Sequence, residues 1–247
     1  MNAFSIDINC DLGEGVGNEA ALMPLISSCN LACGGHAGDE HTIRQVVELA
    51  KKHGVGVGAH PSFPDKEHFG RKKLEMPFAS LSASLKEQLE AVAEACRDAD
   101  LPLHHIKMHG ALYNLCAGDA VYAEAITAFL ETHYPKIPVY VPYNSEMARA
   151  ASGRLKLFYE AFADRNYEAD GSLVSRAQNN ALITDKDQLA AHVIRLVKAG
   201  EIKAVSGAVI KLKTDTICVH GDTENAVELL NFLHQKLTEA SIQIEPL

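Results

Sequence analysis

Six segments of this 247-residue sequence gather ionisable or amide side chains, most of them beside glycine. The first carries Asp7, Asn9, Asp11 and Glu14 around Gly13. The second carries His36 and Asp39 among Gly34, Gly35 and Gly38, and the third has His60 just after Gly58. The fourth holds Lys107, His109 and Gly110, with Tyr113 and Asn114 close behind. The fifth holds Glu160, Asp164 and Arg165, and the sixth His220, Gly221 and Asp222. Imidazoles and carboxylates in one pocket can move protons near neutral pH, and an ammonium or guanidinium can hold negative charge on oxygen. Asp11, His36 and His60 could instead supply an Asp/His/His site whose divalent ion generates hydroxide.

Each residue also has an ordinary reading. A lone histidine at a strand end is more often a satisfied core or loop residue than a ligand. Asp39 and Asp222 could cap helices, Lys107 could be half of a buried ion pair, and Asp164 with Arg165 a plain salt bridge. Asp7 and Asn9 alternate with Ile6 and Ile8, so they point either into a barrel or toward solvent. Recurrence carries the argument. Four of the twelve histidines (His36, His60, His109 and His220) fall in these segments, and a purely structural account needs six separate coincidences.

Short apolar runs at residues 4–10, 28–33, 55–59, 104–108, 138–141, 157–162 and 216–219 read as strands, several of them buried on both faces. Between them lie amphipathic helical stripes. Ile43, Val46, Val47 and Ala50 follow a potential N-cap at Asp39, and Leu85, Leu89, Val92, Ala93 and Cys96 fall within 84–99. Helices are also predicted over 119–133, after a capping box of Thr184 with Asp187 up to a stop at Gly200, and over 223–240. Residues 63–77, 144–154 and 168–183 read as irregular. This β/α alternation predicts one α/β domain over 1–247, a TIM-like β/α barrel that is seven-stranded or imperfect, with an open doubly wound sheet as the alternative. In a parallel barrel the carboxyl ends of the strands share one face, so the six polar segments converge there.

Composition narrows the function classes. A net charge of -9 argues against a nucleic-acid or anionic-membrane partner. Six scattered cysteines in a chain this long read as free thiols; Cys29 and Cys33 lack a second pair for a structural zinc site. The opening residues lack a basic segment followed by an apolar one, and no apolar run is long enough to span a bilayer, so the expected compartment is the cytoplasm. No Walker A loop, G-x-S-x-G elbow or H-E-x-x-H occurs, and Gly54, Gly56 and Gly58 do not open a helix as a dinucleotide fingerprint does.

At the same segments the chain resembles the LamB/YcsF-type lactam-utilisation family, identified with the A subunit of 5-oxoprolinase. The stretches DINCDLGEG, CNLACGGHAGD, VGVGAHPSFPD with HFGR at 68–71, HIKMHGALYN, EAFADRNYEADGSLVSR and ICVHGD occur in consistent order. Gly35 and Met108 depart from the family's usual Phe and Pro. The resemblance implies a barrel similar to glycoside-hydrolase and deacetylase barrels. It implies conversion of 5-oxoproline, ATP and water to glutamate, ADP and phosphate, with ATP as co-substrate bound through partner subunits B and C and a small lactam as substrate.

On that reading Asp11, His36, His60, Lys107, His109 and His220 are the expected catalytic set. Asp11 or His60 is the base, Lys107 and His109 hold the oxyanion or phosphate, and His36 and His220 contact substrate or shuttle protons. Asn9, Glu14, Tyr113, Asn114, Glu160, Asp164, Arg165 and Asp222 are the expected substrate-binding set, with Arg165 on the substrate carboxylate. Two other readings stand: a metal-dependent deacetylase or amidohydrolase, and a non-catalytic binding component of the complex.

Overall fold

The first strand settles the ambiguity at Asp7 and Asn9. In a computed structural model, which describes residues 4–223 and 225–247, Asp7, Asn9 and Asp11 are all buried and bond to one another's neighbours inside a barrel. Ile6, Ile8, Cys10 and Leu12, the alternate set, lie on the other face of the strand in the apolar core.

The barrel strands are β1 (Phe4–Leu12), β2 (Ser28–Ala32), β3 (Gly56–His60), β4 (His105–Ile106), β5 (Val139–Pro142), β6 (Leu157–Phe162) and β9 (Thr216–Cys218). They pair in that order, all parallel, and β9 pairs back onto β1 through Asp7 with Thr216 and Asn9 with Cys218. That last ladder closes the sheet and excludes the open doubly wound alternative. A hairpin of β7 (Glu201–Lys203) and β8 (Val209–Lys211) follows the sixth barrel strand in the chain, and β10 (Ile242–Ile244) adds in parallel to Phe4–Ile6.

The helices are α1 (Glu19–Leu22), α2 (Glu40–His53), α3 (Phe78–Asp98), α4 (Gly110–Gly118), α5 (Ala120–His133), α6 (Glu146–Ala151), α7 (Lys186–Ala199) and α8 (Ala226–Glu239). Their starts follow capping chemistry. Asp39 accepts from the Thr42 N–H at 2.8 Å, and Gly54 at φ 69° closes the same helix in the left-handed region. Asp185, not Thr184, caps α7, accepting from the Gln188 N–H. α3 starts right after Pro77, six residues earlier than predicted, and its first turn extends the same buried stripe through Leu81. Neither α4 nor α6 was expected, and α6 lies inside the segment read as irregular. The last helix begins at Ala226 rather than 223; residue 224 lies outside the described residues. No helix among the described residues is long and apolar enough to cross a membrane.

A usual β/α barrel is filled by branched aliphatic layers. This one is filled largely by polar groups. Ser28, Asn30, His105, Tyr140, Glu160 and Thr216 are buried, and His105 stacks on Tyr140 with ring centroids 3.7 Å apart. Gly58 makes room for that imidazole: a Cβ there would stand 2.1 Å from His105 Nε2. At the β2 carboxyl end a Cβ on Gly35 would lie 2.3 Å from Gln88 Oε1. The Gln88 amide fills the space instead, accepting from the Ser62 N–H and donating to the Ser62 carbonyl, both at 2.9 Å. Glycine at 35 and glutamine at 88 therefore form a matched pair.

Candidate active site

Lys107 sits at the centre of the barrel mouth. Its Nζ lies 2.9 Å from Asp11 Oδ1 and 2.8 Å from Glu160 Oε1, with Cys218 Sγ at 3.2 Å, and all three partners are buried. Burial acts to lower the ammonium's pKa, but Asp11 first among the neighbouring charges outweighs it and holds it well above the ordinary lysine value. Burial likewise acts to raise Asp11, and Lys107 followed by His60 outweighs that and holds it well below the usual carboxylate range. The two groups form a fixed ion pair. Glu160 is also bound by the Tyr113 hydroxyl, which donates to its Oε2 at 2.8 Å.

A histidine cluster flanks this ion group. His60 Nε2 stands 3.4 Å from Asp11 Oδ2 and 3.0 Å from His109 Nδ1. His36 stacks flat on His109 at 3.6 Å, and its Nε2 meets Glu14 Oε1 at 2.9 Å. Burial pushes His36 down to about 3 and lowers His109 too, with His60 adding to both, so these two rings are neutral at neutral pH. Burial, then the Asp11 carboxylate, pushes Glu14 up to about 7. The packing depends on Gly110, which holds φ 54° at the start of α4; a Cβ there would lie 2.6 Å from the Gly70 carbonyl oxygen.

On the opposite wall, His220 Nδ1 lies 2.9 Å from both Asp164 oxygens, and Thr223 Oγ1 donates to Oδ2 at 3.0 Å. Burial lowers the imidazole's pKa, but Asp164 outweighs it and raises the net value; Asp164 is lowered in turn, its burial offset by His220. With Nδ1 held by the carboxylate, the other ring nitrogen is the one free to serve the cavity. Phe162 stacks on that ring at 5.3 Å.

Asp11, Glu14, His60, Lys107, His109, Tyr113, Glu160, Phe162 and His220 border one cavity of roughly 780 Å³, which is also lined by Arg71, Asn114, Arg165, Arg176 and Asp222. The expected catalytic residues Asp11, His60, Lys107, His109 and His220 meet there; His36 lies behind His109 and Glu14 rather than on the cavity wall. Asn9 lies beneath the site, donating to Thr216 Oγ1 at 2.7 Å. Arg165 borders the cavity, but its Nε and Nη2 donate to the Ala181 and Val174 carbonyls, so it anchors the 166–182 loop. Asp164 pairs with His220 instead of Arg165, and Asp222 pairs with Arg71 at 2.9 Å instead of capping a helix.

Among the described residues two groups of ligand atoms converge closely enough for a metal ion, each within 4.8 Å: Asp11, Cys218 and His220, and the larger set of Asp11, Glu14, His60 and His109. This set replaces the Asp11/His36/His60 trio expected from sequence. Residues that the sequence reading missed include Arg71 and Arg176 on the cavity wall, Cys218 beside Lys107, Asn30, whose Nδ2 donates to Asn9 and Asp11 at 2.7 Å each, and Phe69, whose carbonyl receives His109 Nε2 at 2.9 Å. An asparagine in the middle of an apolar strand, CNLAC, was the available signal for Asn30.

Comparison with known proteins agrees with this architecture. The chain is 44% identical to the second 5-oxoprolinase A subunit of Bradyrhizobium diazoefficiens, covering 98% of this chain and 97% of that protein. It is 40% identical to the 5-oxoprolinase A subunit of Staphylococcus carnosus over 99% of both. The crystal structure of a lactam utilization protein from Thermus thermophilus superposes with a TM-score of 0.92 at 34% identity, over 98% of this chain and 100% of that one. With the LamB/YcsF family profile matching residues 6–247, the chain belongs to the LamB/YcsF family.

Proposed function

We propose that this chain is the ring-opening component of an ATP-dependent 5-oxoprolinase, acting on 5-oxoproline together with partner subunits B and C. The observation that carries the reading is a fixed buried ammonium between two carboxylates, facing a His–Asp pair across one small cavity. A five-membered lactam is a poor electrophile, and phosphorylating its carbonyl oxygen at the expense of ATP, bound through the partners, activates it. Water then adds to that carbon, and the C–N bond breaks as nitrogen takes a proton. A second water cleaves the resulting acyl phosphate to glutamate and phosphate.

The chain's residues divide these tasks by charge. Lys107, locked in its charged form, holds negative charge on the carbonyl or phosphate oxygens. Asp11 or His60, beside it, accepts the proton of the attacking water. His220, whose protonated form Asp164 favours, delivers a proton to the departing nitrogen. Arg176 lines the cavity and suits the substrate carboxylate better than Arg165, whose hydrogen bonds hold the loop.

The test is glutamate release from 5-oxoproline and ATP, with and without the two partner proteins. Turnover is expected only with all three chains and ATP, and to be lost in Asp11→Asn and Lys107→Met. Full turnover in both variants overturns the assignment and points to a binding role alone. The second reading, a metal-dependent amidohydrolase, is favoured by the convergence of Asp11, Glu14, His60 and His109, and predicts amide cleavage by this chain alone without ATP.

A further inference from the structure

Two imidazoles at the cavity wall are held in a way that the proton-transfer roles leave unexplained. His60 Nδ1 lies 2.8 Å from the Lys107 carbonyl oxygen, and His109 Nε2 lies 2.9 Å from the Phe69 carbonyl oxygen. A carbonyl only accepts, so these two nitrogens carry the ring hydrogens. The remaining nitrogens, His60 Nε2 and His109 Nδ1, face each other at 3.0 Å. Two acceptors that close repel unless an electrophile is shared between them. Asp11 Oδ2 stands 3.4 Å from the first and Glu14 Oε1 3.5 Å from the second.

These separations match the edges of a coordination sphere. Ligand atoms about 2.1 Å from a common centre lie about 3.0 Å apart at right angles and about 3.4 Å apart at tetrahedral ones. Imidazoles that donate their second N–H to backbone carbonyls are oriented as metal ligands usually are. Two carboxylates balance a dication, while Lys107 already has Glu160 as a second counter-charge.

We propose that Asp11, Glu14, His60 and His109 form a binding site for one divalent first-row transition-metal ion. Two imidazole nitrogens with two carboxylate oxygens select Zn²⁺, Mn²⁺ or Co²⁺ over Mg²⁺ and Ca²⁺, which prefer all-oxygen surroundings. An ion there would supply Lewis acidity and a more acidic water on the cavity wall. The inference deepens the water-activating role assigned above to Asp11 and His60, and depends on that reading for the reaction but not for the site. The rival occupant is a proton shared between the two rings, which would need neither carboxylate.

The experiment uses the full chain, stripped with a chelator and titrated calorimetrically with Zn²⁺, Mn²⁺, Co²⁺ and Mg²⁺, with the visible spectrum of the Co²⁺ form recorded alongside. One transition-metal ion per chain is expected, with nitrogen ligation in the Co²⁺ spectrum. His109→Gln and Glu14→Gln should each weaken binding about 100-fold or more, while His41→Gln, at an exposed helical position, leaves it unchanged. Thermal unfolding of each variant checks that it folds, and Glu14→Gln, on a turn, serves if the buried histidine variant does not. Absence of stoichiometric binding, equal affinity for Mg²⁺, or binding indifferent to both variants overturns the proposal. Metal binding without 5-oxoproline turnover would remove the lactam reading and leave the site; turnover by a chain that binds none of these ions would do the reverse.

Discussion

Replacing Lys107 with methionine isolates the electrostatic core of the site. Methionine retains most of the lysine stem's volume, so little cavity forms; what disappears is the ammonium 2.9 Å from Asp11 and 2.8 Å from Glu160. Removing one partner of a buried ion pair costs about 3–5 kcal/mol, because the charge left behind is unpaired and poorly solvated. For a chain of this size that corresponds to a fall of roughly 6–20 °C in Tm. Adding Glu160→Gln to the variant removes one stranded charge and should recover about 1–3 kcal/mol, a coupling read from the double-mutant cycle.

The pH dependence of the same variant follows from Asp11. In the native chain its carboxyl is held well below the usual range, chiefly by Lys107 against burial. It therefore contributes stability above its unfolded pKa that is lost as pH falls through the folded value. Without the ammonium, burial raises the folded pKa above the unfolded one, so the variant should gain stability as pH falls through the folded value toward the ordinary carboxylate range. Guanidinium unfolding at several pH values measures both effects. A Lys107→Met chain within about 1 kcal/mol of the native one near neutral pH, or one that Glu160→Gln does not improve, would refute the picture of a charge-locked centre.

Two further outcomes test other parts of the site. Asp164 raises the pKa of His220, so activity that needs the protonated ring is lost as pH rises through it; Asp164→Asn should move that alkaline limb of kcat/KM down by about 1–3 pH units. Gly110→Ala forces a side chain into the left-handed region against the Gly70 carbonyl and should lower stability by about 2 kcal/mol or more in thermal unfolding, whereas Gly118→Ala, at the open end of the same helix, should not.

The barrel strands and the larger helices were legible because their signals are local. Apolar runs such as VGVGAH and stripes such as Leu85, Leu89 and Val92 need no knowledge of the rest of the chain. β7, β8 and β10 were not legible: each is three residues long and defined only by its partner. α4 was hidden because its Tyr113 reads as a functional residue and, in the structure, is also one of its buried residues. At the site, residue types at strand ends identified the convergence correctly, since parallel topology fixes it. Pairings were not legible, because which carboxylate meets which base depends on side-chain geometry across strands. That is why the sequence offers a plain salt bridge of Asp164 with Arg165, its chain neighbour, as one reading, when Asp164 belongs to His220, 56 positions away.

The polar barrel interior supplies the reason that Asp11 can be held so firmly. Asp7 accepts from Ser27 at 2.6 Å, from Ser28 at 2.8 Å and from Thr216. Because the Thr216 hydrogen points at Asp7, its oxygen must accept, which sets the Asn9 amide with Nδ2 toward Thr216 and Oδ1 toward Asn30. Asn30 must then offer Nδ2 to both Asn9 and Asp11, and turn Oδ1 to receive His105 Nε2 at 2.7 Å. Every donor direction from β9 through β1 and β2 to β4 is thus dictated by the acceptor at the bottom, and the last link delivers a hydrogen bond to the Asp11 oxygen that also faces Lys107. An aliphatic barrel core would pack as densely but could not transmit this orientation. The polar filling exchanges hydrophobic burial for a carboxylate whose rotamer is fixed before substrate arrives.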